Sequence, residues 1–453
     1  MELSKDFIEL MTSALGREQA ELLFQALETS PEISIRQNRV KCQEYDRCCG
    51  MVLSERVPWA SDAWYLPERP SFILDPQFHA GTYYVQEASS MFLEQVLKAV
   101  VKGPVKALDL CAAPGGKSTH LCQLLPEGSV IVSNEINRTR ARILAENIVK
   151  WGRPASVVTS NSPKQIGQSG LRFDLMVVDA PCSGEGMFRK DPVAVQEWSL
   201  ANVEMCAQRQ REIITDVWPA LKPGGYLIYS TCTFNTTEDE GIVRWLIEEM
   251  GAEPVSIPVQ AEWGVTGSLI PDMEAPVYHF MQHRTRGEGL FMALLRKPQD
   301  ELTEPVQRVF RLRKDPVPSD MKTWLQGDFV FENEGDAIYA YPSGQSDFMH
   351  QVSASLFALV KGVQIGRMKG RDIIPAHALS MCQALDASRF ERVEITERQA
   401  VDYLHGDAIQ TLDAPRGIVL LCFNGVPLGF AKNLGNRANN LYPEEWRIRK
   451  SVV

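Results

Sequence analysis

The sequence predicts an α/β fold: a mostly parallel β-sheet covered by helices on both faces, preceded by a small α+β unit and followed by a C-terminal extension. Two observations carry this. From about residue 105 to 297, short apolar runs of strand length alternate with helix-length segments, the pattern of parallel strands joined by helical crossovers. The first such strand runs into a turn of small residues that opens a helix, a place where a ligand can approach the backbone closely.

The elements follow in order. DFIELMTSALGREQAELLFQAL has apolar residues at helical spacing and reads as two helices. PEISIRQNRVK alternates like a strand, and Pro58, Pro67, Pro70 and Pro76 then punctuate a loop-rich stretch. GTYYVQEASSMFLEQVLKAVV reads as a turn leading into a helix. In the α/β region KALDLCAA, SVIVSNEI, SVVTSN, FDLMVVDAP, YLIYSTCT and GLFMALLRK are strands. THLCQLL, RTRARILAENIVKWG, VEMCAQRQREIITDVWPALKPGG and DEGIVRWLIEEMG are helices, the third ended by Pro223-Gly224-Gly225. After Lys297 the chain turns polar and Pro-punctuated, which marks a linker, and the last 60 or so residues are strand-rich. The expected units are 1–100, 101–298, 299–390 and 391–453.

Composition excludes several classes. No apolar run reaches the length of a membrane span, and the N-terminus has no signal-peptide pattern, so the expectation is a cytoplasmic protein. Ten cysteines show no CxxC pair and no regular spacing, which argues against a metal site or a disulfide framework and for mostly reduced thiols. The net charge of −10 weighs mildly against nucleic acid, although a local basic face can sit on an acidic protein.

Ligands in such sheets bind beyond the carboxyl ends of the strands. The first strand ends in Asp109-Leu110-Cys111-Ala112-Ala113-Pro114-Gly115-Gly116-Lys117-Ser118, which is neither a P-loop nor GxGxxG. Glu135 ends the second strand, 20 residues after Gly115, where an acid can hold the two ribose hydroxyls of a nucleoside cofactor. Asn161 ends the third, where an amide can meet an adenine edge. Asp179-Ala180-Pro181-Cys182 closes one strand and Ser230-Thr231-Cys232 the next, so two thiols and a carboxyl are delivered to one crevice. A single cysteine is usually a small buried hydrophobe. Two at catalytic strand ends point to nucleophilic chemistry, and their spacing does not say which one attacks.

The motifs ALDLCAAPGGKST, VSNEIN, FDLMVVDAPCSGEGMFRKDP and LIYSTCTFNTTEDE resemble the RNA 5-methylcytosine methyltransferases of the RsmB/NOP type. The tail, VKGVQIGRMKGRDIIPAHALS and LGFAKNLGNRANNLYPEEWRIRK, resembles the bacterial RsmF-type members, which act on 16S ribosomal RNA. The resemblance implies a Rossmann-like class I fold dependent on S-adenosylmethionine, with a PUA-like RNA-binding module at the C-terminus. It implies Cys232 as nucleophile at cytosine C6, Cys182 as the residue aiding product release, and Asp179 near N3 and the methionine end of the cofactor. Cys111, Ala112, Ala113, Pro114, Gly115, Gly116, Lys117, Glu135 and Asn161 map to its cofactor contacts, with Asn161 standing where the family often has Asp.

The partner implied is RNA, from 16S rRNA or the small subunit, with no membrane or metal and a monomeric chain. Basic clusters suited to it are Arg36, Arg39 and Lys41; Arg138, Arg140 and Arg142; Arg308, Arg311, Arg313 and Lys314; Lys361, Arg367, Lys369 and Arg371; and Arg437, Arg447, Arg449 and Lys450. Met187, Phe188 and Arg189 are candidates to line a flipped-base pocket. Competing readings are a tRNA or 23S rRNA substrate, an amino-group methyltransferase, a DNA cytosine-5 enzyme, and a non-catalytic RNA-binding assembly factor. The amino-group reading lacks its Asn/Asp-Pro-Pro-Tyr motif, the DNA reading leaves Cys232 unexplained, and intact Cys182, Cys232, Asp179 and Glu135 argue against the last.

Overall fold

The computed structural model describes residues 2–42, 51–299, 317–370, 372–410 and 412–449. The chain opens with α1 (Lys5–Leu15) and α2 (Arg17–Leu27). Ser4 caps α1 by accepting from the Phe7 N–H at 3.2 Å, and Gly16, at φ 75°, makes the corner between the helices. The amphipathic faces of both helices bury Phe7, Met11, Leu23 and Leu27 against Phe188, Trp198 and Phe234. β1 (Ile33–Gln37) pairs antiparallel with β2 (Ala63–Leu66) and β3 (Tyr83–Val85), with the short helix α3 (Pro76–Ala80) between those two and α4 (Leu93–Val100) after them.

The centre is a nine-stranded sheet. Its parallel part comprises β4 (Lys106–Asp109), β5 (Val130–Asn134), β6 (Ser156–Thr159), β7 (Phe173–Asp179) and β8 (Leu221–Thr231), in spatial order β8-β7-β4-β5-β6. Helices α5 (Gly116–Leu124), α6 (Arg138–Trp151), α7 (Pro163–Gln168), α8 (Pro192–Glu197) and α9 (Leu200–Val217) connect them, and α10 (Glu240–Glu248) follows β8. Two apolar layers result. One joins α4, α5 and α6 to one face through Leu97, Leu121, Leu144 and Ile131. The other joins α7, α9 and α10 to the opposite face through Ile166, Ile214, Leu246 and Met176. A sheet so enclosed exposes only its strand ends. Beyond β8 lie three antiparallel strands, β9 (Glu253–Pro254), β10 (Tyr278–Phe280) and β11 (Leu290–Arg296).

Helix α9 stops at Val217, before the Pro223-Gly224-Gly225 expected to end it. Pro219 lacks the N–H a continuing helix needs, so the chain makes one 3-10 turn and Pro223 to Gly225 fall inside β8.

The residues expected as a separate first C-terminal unit reach into the central sheet. β12 (Phe329–Glu334) and β13 (Ala337–Pro342) are followed by α11 (Ser346–Ser355) and β14 (Ala358–Lys361), and β14 pairs antiparallel with β6 as the sheet's far edge. β15 (Val363–Lys369) and β16 (Asp372–Pro375) complete a four-stranded antiparallel sheet with β12 and β13, and α12 (His377–Met381) follows. A five-stranded sheet ends the chain: β17 (Glu391–Glu394), β18 (Ile409–Gln410), β19 (Gly417–Phe423), β20 (Val426–Asn433) and β21 (Arg437–Asn440), with α13 (Glu397–His405) packed on it. Among the described residues no helix is long and apolar enough to cross a membrane, and no group of His, Cys, Asp and Glu is arranged to hold a metal ion. Seven of the described cysteines are free thiols.

Candidate active site

The turn from β4 to α5 is pinned from both sides. The Ala112 N–H donates to Asn134 O at 2.8 Å, Arg140 Nη2 to Ala113 O at 2.8 Å, and Asn147 Nδ2 to Pro114 O at 2.8 Å. Ala113-Pro114 is a cis peptide, and Gly115 sits at φ +118°, a conformation that favours glycine. A side chain there would also press on Leu144 Cδ1 at 3.3 Å, so backbone remains the turn's inner surface.

Beneath it, Asp109 is fully buried. Its Oδ2 accepts from Ser118 at 2.6 Å, and its Oδ1 has no hydrogen-bond partner. Burial pushes its pKa up to about 7. Burial likewise pushes the half-buried Cys111 thiol up.

Asn134, at the end of β5, laces three strand tips together. Its Nδ2 donates to Leu110 O and Asn161 O, and its Oδ1 accepts from Thr159 Oγ1 and the Asn161 N–H. Glu135 follows, and its Oε1 accepts from the Asn137 N–H at 2.9 Å while Oε2 lies 3.5 Å from Arg140 Nη1. An ionised carboxylate has about four lone-pair directions, so this one keeps capacity for a diol. Asn161, at the tip of β6, also binds the C-terminal extension. Its Nδ2 donates to Phe357 O and its Oδ1 accepts from the Phe357 N–H, both at 3.1 Å, so the amide docks the start of β14. The bare turn and the carboxylate of Glu135 suit a nucleoside.

The two cysteines meet. In the register of β7 and β8, Asp179 lies beside Ser230. Asp179 Oδ1 accepts from Ser230 Oγ at 2.7 Å and pairs with Lys117 Nζ at 2.8 Å. Burial works to lower the Lys117 pKa, but the attraction of Asp179 wins and holds it above the usual lysine value. Beyond these tips Cys182 Sγ and Cys232 Sγ stand 3.2 Å apart, both half-buried. Contact with the Cys232 sulfur, followed by burial, raises the Cys182 thiol well above its ordinary pKa.

Behind the sulfurs lies a buried polar clamp that sequence reasoning missed. Asn235 Nδ2 reaches Ser183 Oγ, Glu185 Oε1, Thr233 Oγ1 and Glu238 Oε1 at 2.9 to 3.3 Å. Glu238 accepts from the Ser183 N–H and from Gln210 Nε2, and Glu185 accepts from the Phe234 N–H and Trp198 Nε1. Gly186 N–H donates to Cys232 O at 2.8 Å. The signal was the polar run in CSGEG and TFNTTEDE, adjoining both cysteines where a surface loop would be solvated.

Other expected contacts resolve into structure. Phe188 is buried, its ring 5.1 Å from that of Phe7, and Arg189 is paired with Glu288 at 2.8 Å and bonded to Gly287 O. Only Met187 of that trio is exposed. Arg36 is buried too, stacked 4.4 Å over Trp151 and bonded to Gln86 and Thr119, and burial lowers its pKa to about 9. Arg39 pairs with Asp62, and Lys41 is held by Ala80 O and Lys150 O. Arg36 and Lys41 therefore hold the fold, and of this cluster only Arg39 is exposed. Arg140 serves Glu135 and the turn, and Lys361 pairs with Glu334. Arg367, Lys369, Arg437 and Arg449 are exposed. Arg308, Arg311, Arg313, Lys314, Arg371 and Lys450 lie outside the described residues.

Comparison with known proteins identifies the family. Residues 99–296 match the family 16S rRNA methyltransferase RsmB/F, residues 3–88 the N-terminal domain of 16S rRNA methyltransferase RsmF, and residues 390–448 the methyltransferase RsmF PUA domain. The chain is 30% identical to the ribosomal RNA small subunit methyltransferase F of Enterobacter sp. (strain 638), over 86% of this chain and 83% of that one. It is 28% identical to the same-named protein of Klebsiella pneumoniae (strain 342), over 86% and 84%. A methyltransferase homolog from Pyrococcus horikoshii superposes with a TM-score of 0.55 at 27% identity, over 65% of this chain and 95% of that one. NSun6 from Pyrococcus horikoshii, at 22% identity and a TM-score of 0.55 over 66% and 99%, shares the fold. Sequence and fold thus converge on one conclusion: the chain belongs to the RsmB/F family of 16S rRNA methyltransferases, in its RsmF branch.

Proposed function

We propose that this chain methylates carbon 5 of a cytosine in 16S ribosomal RNA, with Cys232 as nucleophile, Cys182 aiding release and Asp179 acting at N3. The observation that carries the reading is the 3.2 Å approach of the two sulfurs on the rim that also bears Asp179. A single structural thiol needs no partner sulfur and no carboxyl beside it.

Cytosine C5 is too weakly nucleophilic to take a methyl group unaided. The Cys232 thiolate adds to C6, and the electron pair moves toward N3 and makes C5 enamine-like. Asp179, supported by Lys117, faces N3 and manages the proton there. When bound, S-adenosylmethionine supplies an electrophilic sulfonium methyl group. Cys182 then assists loss of the C5 proton, so that the C6–S bond breaks and Cys232 leaves as thiolate. In this reading Cys111, Ala112, Ala113, Pro114, Gly115, Gly116, Lys117, Glu135, Asn161 and Asp179 hold the cofactor. The second Nδ2 hydrogen of Asn161 is left for the adenine edge, since Phe357 O takes the first.

The RNA is proposed to lie across the exposed Arg367, Lys369, Arg437 and Arg449, with the target base turned out beside Met187. The proposed setting is a cytoplasmic monomer. The test is transfer of labelled methyl from S-adenosylmethionine to ribosomal RNA, with bisulfite sequencing to find the base. Label on any atom other than cytosine C5 would overturn the proposal.

A further inference from the structure

The third strand tip carries an aromatic residue that comes from far along the chain. Phe357 enters β14 at the point where Ser160 N–H donates to its carbonyl at 3.0 Å and the Asn161 amide grips its backbone at both ends. Its main chain is therefore tightly fixed, yet its side chain is 52% exposed. An exposed ring on a fixed backbone offers a pre-organised apolar face to a flat ligand. The guanidinium of Arg138 stands 5.3 Å over the ring. Arg138 opens α6, three residues after Glu135, so the ring lies by the tip that carries the proposed ribose ligand. Ile136, directly after Glu135, is 62% exposed. Two exposed apolar residues, one of them aromatic, thus belong to the tips of β5 and β6.

We propose that Phe357, supplied by the C-terminal extension, forms a wall of the adenine pocket, with Ile136 opposite it; this rests on the reading of the β5 and β6 tips as the cofactor's nucleoside edge. The chemistry is that of a flat purine against a flat ring and an aliphatic face, two surfaces that water solvates poorly. The cation over Phe357 polarises the ring and restrains its tilt. The role of Asn161 then becomes indirect as well as direct: its amide positions the residue that touches the base. The cofactor site would be incomplete without a strand lying nearly 200 residues downstream of β6, since 357 and 161 differ by 196.

Calorimetric titration of S-adenosylhomocysteine into the full chain tests this, with melting temperature as the folding control. Phe357→Ala is expected to raise Kd about tenfold, the scale of a lost base–aromatic contact. Phe357→Trp is expected to keep wild-type affinity. Glu135→Gln serves as the control for the cofactor-site reading, and an unchanged Kd there would remove that reading and this proposal together. Loss of binding in Glu135→Gln with wild-type binding in Phe357→Ala would overturn the assignment of Phe357 alone. So would weaker RNA binding with unchanged nucleoside affinity, which would give the ring to an RNA base. If Phe357→Ala melts early, Phe357→Leu keeps apolar bulk without the π-face, and its Kd decides by the same criterion.

Discussion

Asp179 and Ser230 are register partners on adjacent parallel strands, and the Ser230 hydroxyl donates to the Asp179 carboxylate at 2.7 Å. That pairing sends two chain segments out of the sheet side by side. Cys182 lies three residues beyond one partner and Cys232 two beyond the other, and their sulfurs arrive 3.2 Å apart. Three expectations rest on this arrangement and on the clamp behind it, and a fourth on a histidine buried against Tyr442 and Trp446.

The sulfurs should be separable by role. Cys232→Ala is expected to abolish labelled methyl transfer to ribosomal RNA. Cys182→Ala is expected to accumulate a covalent protein–RNA adduct, seen as a shifted band on a denaturing gel. An adduct formed by Cys232→Ala would exchange the two roles.

Asp179→Asn keeps a hydrogen-bond acceptor for Ser230 but removes the charge paired with Lys117. Single-turnover methyl transfer should fall by a factor of about 100 or more, the usual scale for losing a positioned acid–base group. A rate within a few-fold of wild type would take the carboxyl out of the chemistry.

Asn235→Ala removes the donor shared by Ser183, Thr233, Glu185 and Glu238. Leaving buried acceptors unpaired should cost about 2 kcal/mol of stability, read from denaturant unfolding. The loosened sulfurs should lower kcat with little change in KM for RNA. A loss of stability with kcat intact would reduce the clamp to a folding element.

His377 is buried against Tyr442 and Trp446, with neither ring nitrogen hydrogen-bonded. Burial, then repulsion from Lys150 and Lys41, lowers its pKa to about 3 from an ordinary 6.5. The unfolded chain therefore binds a proton between those values that the folded chain refuses. Stability from this group is fully present above pH 6.5 and is lost as pH falls toward 3. His377→Phe removes the titration, so its stability relative to wild type should improve by about 2 kcal/mol between pH 7.5 and pH 5. A stability difference that stays constant with pH would show that His377 does not resist protonation.

Much of the site was legible because its parts are local. Small residues are needed where backbone meets ligand, and they appear as the run from Cys111 to Gly116. The acid at Glu135 and the thiols at Cys182 and Cys232 each sit at the end of an apolar run, and a parallel sheet gathers all such ends on one edge. Arg36 was read wrongly for the converse reason. A basic residue in an alternating strand looks solvated until the Trp151 ring, Gln86 and Thr119 come from elsewhere to enclose it. Phe188 and Arg189 misled in the same way, since their partners Phe7 and Glu288 are distant in sequence.

Local pattern alone was enough for the central strands and helices, the small-residue turn after β4, and which side chains reach the carboxyl edge of the sheet. These depend on periodicity and on backbone freedom, which are properties of neighbouring residues. Only the tertiary structure decided that the sulfurs touch, that Asn235 ties their loops together, and that β14 closes the sheet and brings Phe357 to Asn161. The physical reason is that such contacts join segments tens to hundreds of residues apart. They exist only once the burial of two apolar layers has offset the chain entropy of bringing those segments together.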